Sequence, residues 1–459
     1  MKKTVLFLMN GFGIEQLNSY SIYNANLMPN LDSYTKKYLF STIESNATDL
    51  SSGYRLFSTG SKLALTYSLI DNYYTKFSEN KNLNYYLNTI KKEGKVHLFL
   101  FYDNEKSLEH IKYFCEYIKT KNDKIYLHLI LTSNNIDNYK DIEKFINKVT
   151  YDFKQIKIGI IVGINIISSI NLNSFMNMFQ NEIGEKWKEI SKKISSLNAS
   201  KIKPNNVKEF YMNEGFKFDI NDSLFFFNYS YFDISNFIAN ISKINNVFDY
   251  CSLFQLNGVK YPMFSYPSSG ISMNNSLKKI EAKSLFLANS KDIRFINYYC
   301  NGLKNLISEN VCFTKTDDGI NNNFLKSVIR DSNYDLIIIN YQIDNVNTVS
   351  ELTDKLGKLD SMLKVVHDIC LELEVSLFIS SLYGMQKELM VDNFSKVMVD
   401  FSLKVPVIVI DQIFNKKNYI LGFGNTYTLA NTIYTNINPK IDEEVLIKRK
   451  GIISQFLKK

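Results

Sequence analysis

The chain has 459 residues, 45% hydrophobic and 22% charged. That is long enough for two buried cores and ordinary for a globular protein. No run approaches the ~18 consecutive apolar residues that a membrane-spanning helix needs. The formal net charge of +8 comes from lysines scattered along the chain. There is no arginine-rich stripe of the kind that makes a nucleic-acid face, so neither nucleic acid nor membrane is expected as a partner. The 30 Tyr and 33 Phe, with abundant Asn, Ile and Lys, fit compositional drift in an AT-rich genome.

The start, Met1-Lys2-Lys3 followed by Thr4–Met9, has too short an apolar run for a secretory leader. The residues after it, Asn10-Gly11-Phe12-Gly13, read as a strand-to-loop junction rather than a cleavage site. The five cysteines, Cys115, Cys251, Cys300, Cys312 and Cys370, are far apart and include no CxxC pair. They read as reduced thiols, and the expected compartment is the cytoplasm.

In chain order, buried strands are expected over Val5–Met9, Val96–Phe101, Tyr126–Leu131 and Lys157–Val162, with helices over Ser107–Lys119, Asp141–Val149 and Leu172–Ile194. Further strands are expected at Leu224–Phe227, Leu336–Asn340, Val375–Ser380 and Val405–Ile410, with helices at Leu352–Leu373 and Tyr427–Tyr434. This alternation predicts an α/β protein with largely parallel sheets. Strand signals stop near Ile70–Asn82, and Tyr266–Ser272 is the most turn-rich run in the chain. An insertion between these points gives one discontinuous domain, 1–72 with 277–459, and an inserted domain, 73–276.

Several segments together resemble the cofactor-independent phosphoglycerate mutases of the alkaline phosphatase superfamily. Leu8-Met9-Asn10-Gly11-Phe12-Gly13 is similar to an opening Leu-Asp-Gly-Trp-Gly, and Met28-Pro29-Asn30-Leu31-Asp32 to Thr-Pro-Asn-Leu-Asp. Phe226-Phe227-Asn228-Tyr229 is similar to Phe-Phe-Asn-Phe, Asp335–Tyr341 to Asp-Leu-Ile-Ile-Leu-Asn-Phe, and Val405-Pro406 to a Val-Pro in the last core strand. The order is preserved over nearly the whole chain. The resemblance implies a two-domain α/β fold, an alkaline-phosphatase-like discontinuous domain with an inserted α/β substrate domain. It also implies interconversion of 3- and 2-phosphoglycerate through a phosphorylated serine, with two Mn²⁺ ions.

Carried over position by position, the resemblance puts Ser58 at the nucleophile and Lys291 at a phosphoryl-contacting lysine. Ser58 by itself reads as a polar loop residue near a helix start, and Lys291 as a solvated helix lysine. At metal positions the carry-over leaves Asp344 and Asp400 as acidic remnants, whereas Asn10, Thr348, Leu382 and Tyr383 stand where ligands are lost. Asp344 reads on its own as a loop carboxylate bonded to backbone. Asp344, Thr348 and Asp400 as one weak Mg²⁺ site is the alternative. On the substrate side no binding residue is retained: Asn134, Asn135, Ile164, Ile170, Ser230 and Asp233 replace charged groups. His97, His110, His128 and His367 do not fall on metal positions. His97 and His128 lie in apolar strand runs and are expected as hydrogen-bonded core residues.

A hydroxyl attacks a phosphate dianion only with help in acidifying it and in neutralising the transferring oxygens. The expected reading is therefore a monomeric, non-catalytic relative that acts by binding an unidentified protein or small-molecule partner, with no cofactor. A divergent active mutase or phosphatase with a rebuilt metal site is the alternative, and a decaying copy without a role is a third.

Overall fold

A computed structural model describes residues 1–15, 21–23, 26–45, 47, 50–60, 74–91, 93–102, 107–119, 124–133, 138–169, 172–229, 234–245, 250–254, 256, 259–264, 272–301, 310–315, 322–331, 333–392, 395–402, 404–412, 421 and 424–438. The chain divides into two compact units, Met1–Leu63 with Ser268–Lys459, and Ala64–Pro267.

Along the chain the strands are β1 (Thr4–Asn10), β2 (Leu39–Glu44), β3 (Val96–Tyr102), β4 (Ile125–Leu131), β5 (Ile156–Gly163), β6 (Phe210–Tyr211), β7 (Ser223–Phe227), β8 (Cys251–Ser252), β9 (Tyr261–Pro262), β10 (Ser284–Ala288), β11 (Val311–Lys315), β12 (Leu336–Gln342), β13 (Ser376–Ser380), β14 (Gln386–Met390), β15 (Lys396–Asp400) and β16 (Lys404–Ile410). Each unit holds one seven-stranded sheet.

In the discontinuous unit the strand order is β11-β10-β12-β1-β13-β16-β2. β1 is central and pairs in parallel with β12 and β13. Every residue of β1 is buried, which is why its sequence is an unbroken apolar run rather than an alternation. β16 and β2 close one side antiparallel, and β14 with β15 forms a separate ribbon. Asn10, Gln342 and Ser380 end their strands at the carboxyl edge of the parallel set, the edge where open α/β sheets place their sites.

The helix Pro29–Lys37 is fixed by its start. Pro29 occupies the first turn, and the buried carboxylate of Asp360, on the long helix Val349–Glu372, accepts from the Asn30 N–H, the Asn30 Nδ2 and the Leu31 N–H at 3.1, 2.7 and 2.9 Å.

The inserted unit orders its sheet β6-β5-β4-β3-β7-β8-β9, parallel except at β5–β6. Phe99 and Phe226 stack at 5.5 Å, and Phe179 and Phe237 meet Phe99 edge-on, which fills one face of this sheet.

The expectation of one helix over Leu172–Ile194 does not hold. Helices cover Asn173–Asn181 and Ile190–Ala199, because Glu182 turns left-handed at φ 56° and ends the first. The ribbon strands β14 and β15 are mostly exposed or half-buried, with only two or three consecutive apolar residues each to announce them. Asp360→Ala is expected to cost about 2–3 kcal/mol of stability by orphaning buried helix-start donors, with Asp360→Asn in between. Chemical denaturation of the three proteins checks this.

Candidate active site at the carboxyl edge of the discontinuous sheet

At the end of β1 the side chain of Asn10 is fully buried and both of its functional atoms are engaged. Its Oδ1 accepts the Leu382 backbone N–H at 3.1 Å, which fixes the amide orientation, and its Nδ2 donates to Asn340 Oδ1 at 2.7 Å. The Tyr54 hydroxyl donates to the same Asn340 oxygen at 2.8 Å. Burial, with Cys300 and Asp292 nearby, pushes the Tyr54 phenol far above its ordinary range, so it remains a donor. The Asn340 Nδ2 is buried without a partner. The backbone closes around this cluster as well: Asn10 O accepts from Ile343 N, and Gly11 N donates to Tyr383 O, both at 3.0 Å.

Tyr54 arrives on the helix Leu50–Thr59, which lies against the helices Ser290–Cys300 and Thr426–Ile437. The helix comes close because position 53 has no side chain: a Cβ on Gly53 would stand 2.8 Å from the Leu382 Cβ. Ser58 belongs to the last turn of this helix rather than to a loop near a helix start. Tyr54, Leu56 and Phe57 are buried and hold the whole segment helical. The Ser58 hydroxyl is itself buried and donates to Arg55 O at 3.2 Å, inside its own helix. The helix residue that reaches the strand ends is Tyr54. Its signal in the sequence is a polar ring one residue after a glycine on an apolar helix face.

The acidic remnants have partners. Asp344 Oδ2 accepts the Tyr383 hydroxyl at 2.6 Å, a side-chain partner rather than the backbone one expected. Lys387 donates to the Asp344 and Val346 carbonyls. Asp400, in β15, accepts from Gln386 Nε2 at 2.9 Å and from the Ser402 hydroxyl at 2.6 Å. Thr348 caps the helix Val349–Glu372 by accepting the Glu351 N–H at 3.1 Å. Asp344, Thr348 and Asp400 are thus engaged separately and are not gathered into one cation site. Leu382 is fully buried and offers no donor atom. Lys291 lies in the first turn of the helix Ser290–Cys300, with its side chain outside the described atoms.

In the inserted unit, Ile164 is a buried core residue in the short helix after β5. Asn134, Asn135, Ile170, Ser230 and Asp233 lie outside the described residues. Of the histidines, His367 stacks on Tyr34 at 4.4 Å and His110 Nδ1 lies 3.1 Å from the Tyr229 hydroxyl. His97 and His128 are buried and bonded to each other.

Two divalent cations of the implied kind need several anionic or imidazole ligands aimed at common points. The residues present do not fit them. An amide with both ends bonded, an apolar side chain, a phenol bonded to a carboxylate and a capping hydroxyl occupy the implied positions. Among the described residues no group of three His, Cys, Asp or Glu side chains is arranged to hold a metal ion.

The fold has a solved counterpart. A phosphoglycerate mutase of Leishmania mexicana, crystallised at low cobalt concentration, aligns over 100% of this chain and 98% of that chain at TM-score 0.80 and 12% identity. The alkaline phosphatase of the Antarctic bacterium TAB5 aligns over 96% of this chain and 100% of that chain at TM-score 0.29 and 10% identity. No family model and no curated protein matches the sequence. The chain has the two-domain phosphoglycerate mutase fold. No helix among the described residues is long and apolar enough to cross a membrane.

Restoring a carboxylate at the strand end tests the closed cluster. Asn10→Asp is expected to lose about 3 kcal/mol at pH 8, because a buried charge has no cation to meet. The new carboxyl is pushed up by burial, so the loss shrinks as pH falls toward 4 and the group becomes neutral. Thermal unfolding across that range, with and without Mn²⁺, reads the effect. No recovery is expected from added Mn²⁺.

Proposed function

We propose that this chain is a non-catalytic relative of cofactor-independent phosphoglycerate mutase that works by binding a protein or small-molecule partner. One observation carries the reading. Asn10, whose position in the resembling family holds a metal-binding aspartate, is buried with its oxygen on the Leu382 N–H and its nitrogen on Asn340. The cluster is neutral and bonded to itself. The overall fold, matched over the full chain by a phosphoglycerate mutase, supports descent from that family.

The chemistry follows. Phosphoryl transfer through a serine depends on charge neutralisation at the transferring oxygens and on acidification of the hydroxyl. Among the described residues no His, Cys, Asp or Glu group that could hold a metal stands by Ser58, and its hydroxyl donates to a helix carbonyl. The discontinuous unit corresponds in this reading to the metal-binding phosphatase-type domain, and the inserted unit to the substrate domain. The protein acts as a cytoplasmic monomer without a resident metal.

Purified protein assayed with Mn²⁺ and 3-phosphoglycerate, coupled to enolase, is expected to show no turnover above background, and Ser58→Ala no change. Turnover that disappears in Ser58→Ala makes Ser58 a working nucleophile. Turnover that survives the substitution means a rebuilt site elsewhere. Either outcome overturns the proposal. Calorimetric titration with Mn²⁺ at neutral pH is expected to give no submicromolar site.

A further inference from the structure

The inserted unit contains a buried chain of titratable groups, His97, His128 and Asp222. His97 on β3 and His128 on β4 are 0% and 1% exposed. The Ile160 N–H donates to His128 Nδ1 at 2.9 Å. That nitrogen is therefore an acceptor, and the neutral ring carries its proton on Nε2, which lies 2.9 Å from His97 Nδ1. His97 Nδ1 accepts, so its own proton is on Nε2, 3.0 Å from Asp222 Oδ2. One assignment satisfies every atom, with both rings neutral and the carboxylate ionised.

The ring of His128 also serves as part of the sheet. The β4–β5 register slips between Leu127 and Leu129, so β5 carries an extra residue opposite His128. At that bulge the Ile160 N–H bonds to the imidazole instead of to a backbone carbonyl. A Cβ on Gly159 would lie 2.6 Å from His128 Cε1, so the ring packs directly on the bulged backbone. Beyond the bulge, β5 carries β6 through Ile160 and Ile161.

We propose that His128 is an acid-operated latch between β4 and β5, and that proton uptake by the His97–His128 pair releases β5 and β6 from the sheet. A proton added to His128 lands on Nδ1 and points N–H at N–H of Ile160. A proton added to His97 makes both its nitrogens donors. His128 must then accept at Nε2 and carry its proton on Nδ1, with the same clash. Either route breaks the bond at the bulge.

The surroundings favour the neutral pair at ordinary pH. Burial pushes both rings below the usual histidine range, and His128 is lowered further by His97. For His97, burial outweighs the Asp222 carboxylate, which acts the other way. Burial alone would raise Asp222, but the His97 ring and the N–H groups of Lys95 and Asp219 hold it below the usual carboxylate range. Lys95 lies 3.3 Å from the same carboxylate. From the other packed elements come Tyr126 beside His97, with Lys157 over the Tyr126 ring, and Glu182 after the helix Asn173–Asn181, whose charge acts on Tyr126. The released state takes up protons near pH 6.5 and the latched state only below that. Latching is therefore complete above about pH 7.5 and is lost as pH falls through the window beneath 6.5.

The test is hydrogen exchange of the full chain at pH 7.5 and pH 5, corrected for intrinsic rates. The opening constant for amides in 156–163 and 210–211 is expected to rise about tenfold per pH unit for one proton and up to about a hundredfold for two. Amides of β3 at 96–102 are expected to move much less. Exchange that rises equally in β3 and β5 overturns the latch. His128→Phe is expected to exchange fast in β5 at both pH values, and a persisting pH dependence in that variant also overturns it. Should the variant not fold, ring-labelled histidine NMR of the wild type decides. A His128 ring that titrates near 6.5 while β5 stays protected contradicts the proposal, and one that stays neutral until β5 opens supports it.

Discussion

The amide of Asn10 holds the carboxyl edge of the discontinuous sheet together. It joins β1 to β12 through Asn340 and to the segment after β13 through the Leu382 N–H. Three parallel neighbours are thereby tied at the point where their strands end, with Tyr54 brought in by its helix to share the Asn340 oxygen. A carboxylate in place of the amide has no N–H to give Asn340. It also introduces a charge that only a cation or a proton can balance at full burial. An amide satisfies the same backbone donor with no charge at all.

The neighbouring replacements follow the same physics. Leu382 is fully buried, and the Tyr383 ring is buried with its hydroxyl on Asp344. Apolar bulk and a neutral phenol fill this end of the sheet, and the Asp344 carboxylate has a hydrogen-bond donor in the Tyr383 hydroxyl. A buried site without unpaired charge generally favours stability. The Asn340 Nδ2 is buried without a hydrogen-bond partner.

Much of this was legible in the sequence, for particular reasons. Val5–Met9 and Leu336–Ile339 are buried on both faces, so they appear as continuous apolar runs too short for a helix. Asn10, Leu382 and Tyr383 stand out because ordered motifs locate them. Ser58 was misplaced, in a loop instead of a helical turn, since Ser and Thr near a glycine look like a helix start. The helix in fact ends there, with both hydroxyls bonded to the Arg55 carbonyl. Tyr54 carries only a faint signal, the preceding glycine: an aromatic residue on an apolar helix face reads as core, and its hydroxyl partner lies 286 residues away. The bond between His128 and a bulged backbone amide leaves no trace in periodicity, because a bulge is a single extra residue in an otherwise regular strand.

The central claim is that the strand-end cluster is closed by its own hydrogen bonds and holds no cation. Crystals grown with millimolar Mn²⁺ and measured at the manganese absorption edge test it most directly. The account predicts no anomalous peak near Asn10, Asp344, Leu382 and Tyr383, with the Asn10 amide still on Leu382 and Asn340. An ordered manganese peak coordinated by Asp344 or by the Asn10 oxygen would contradict it.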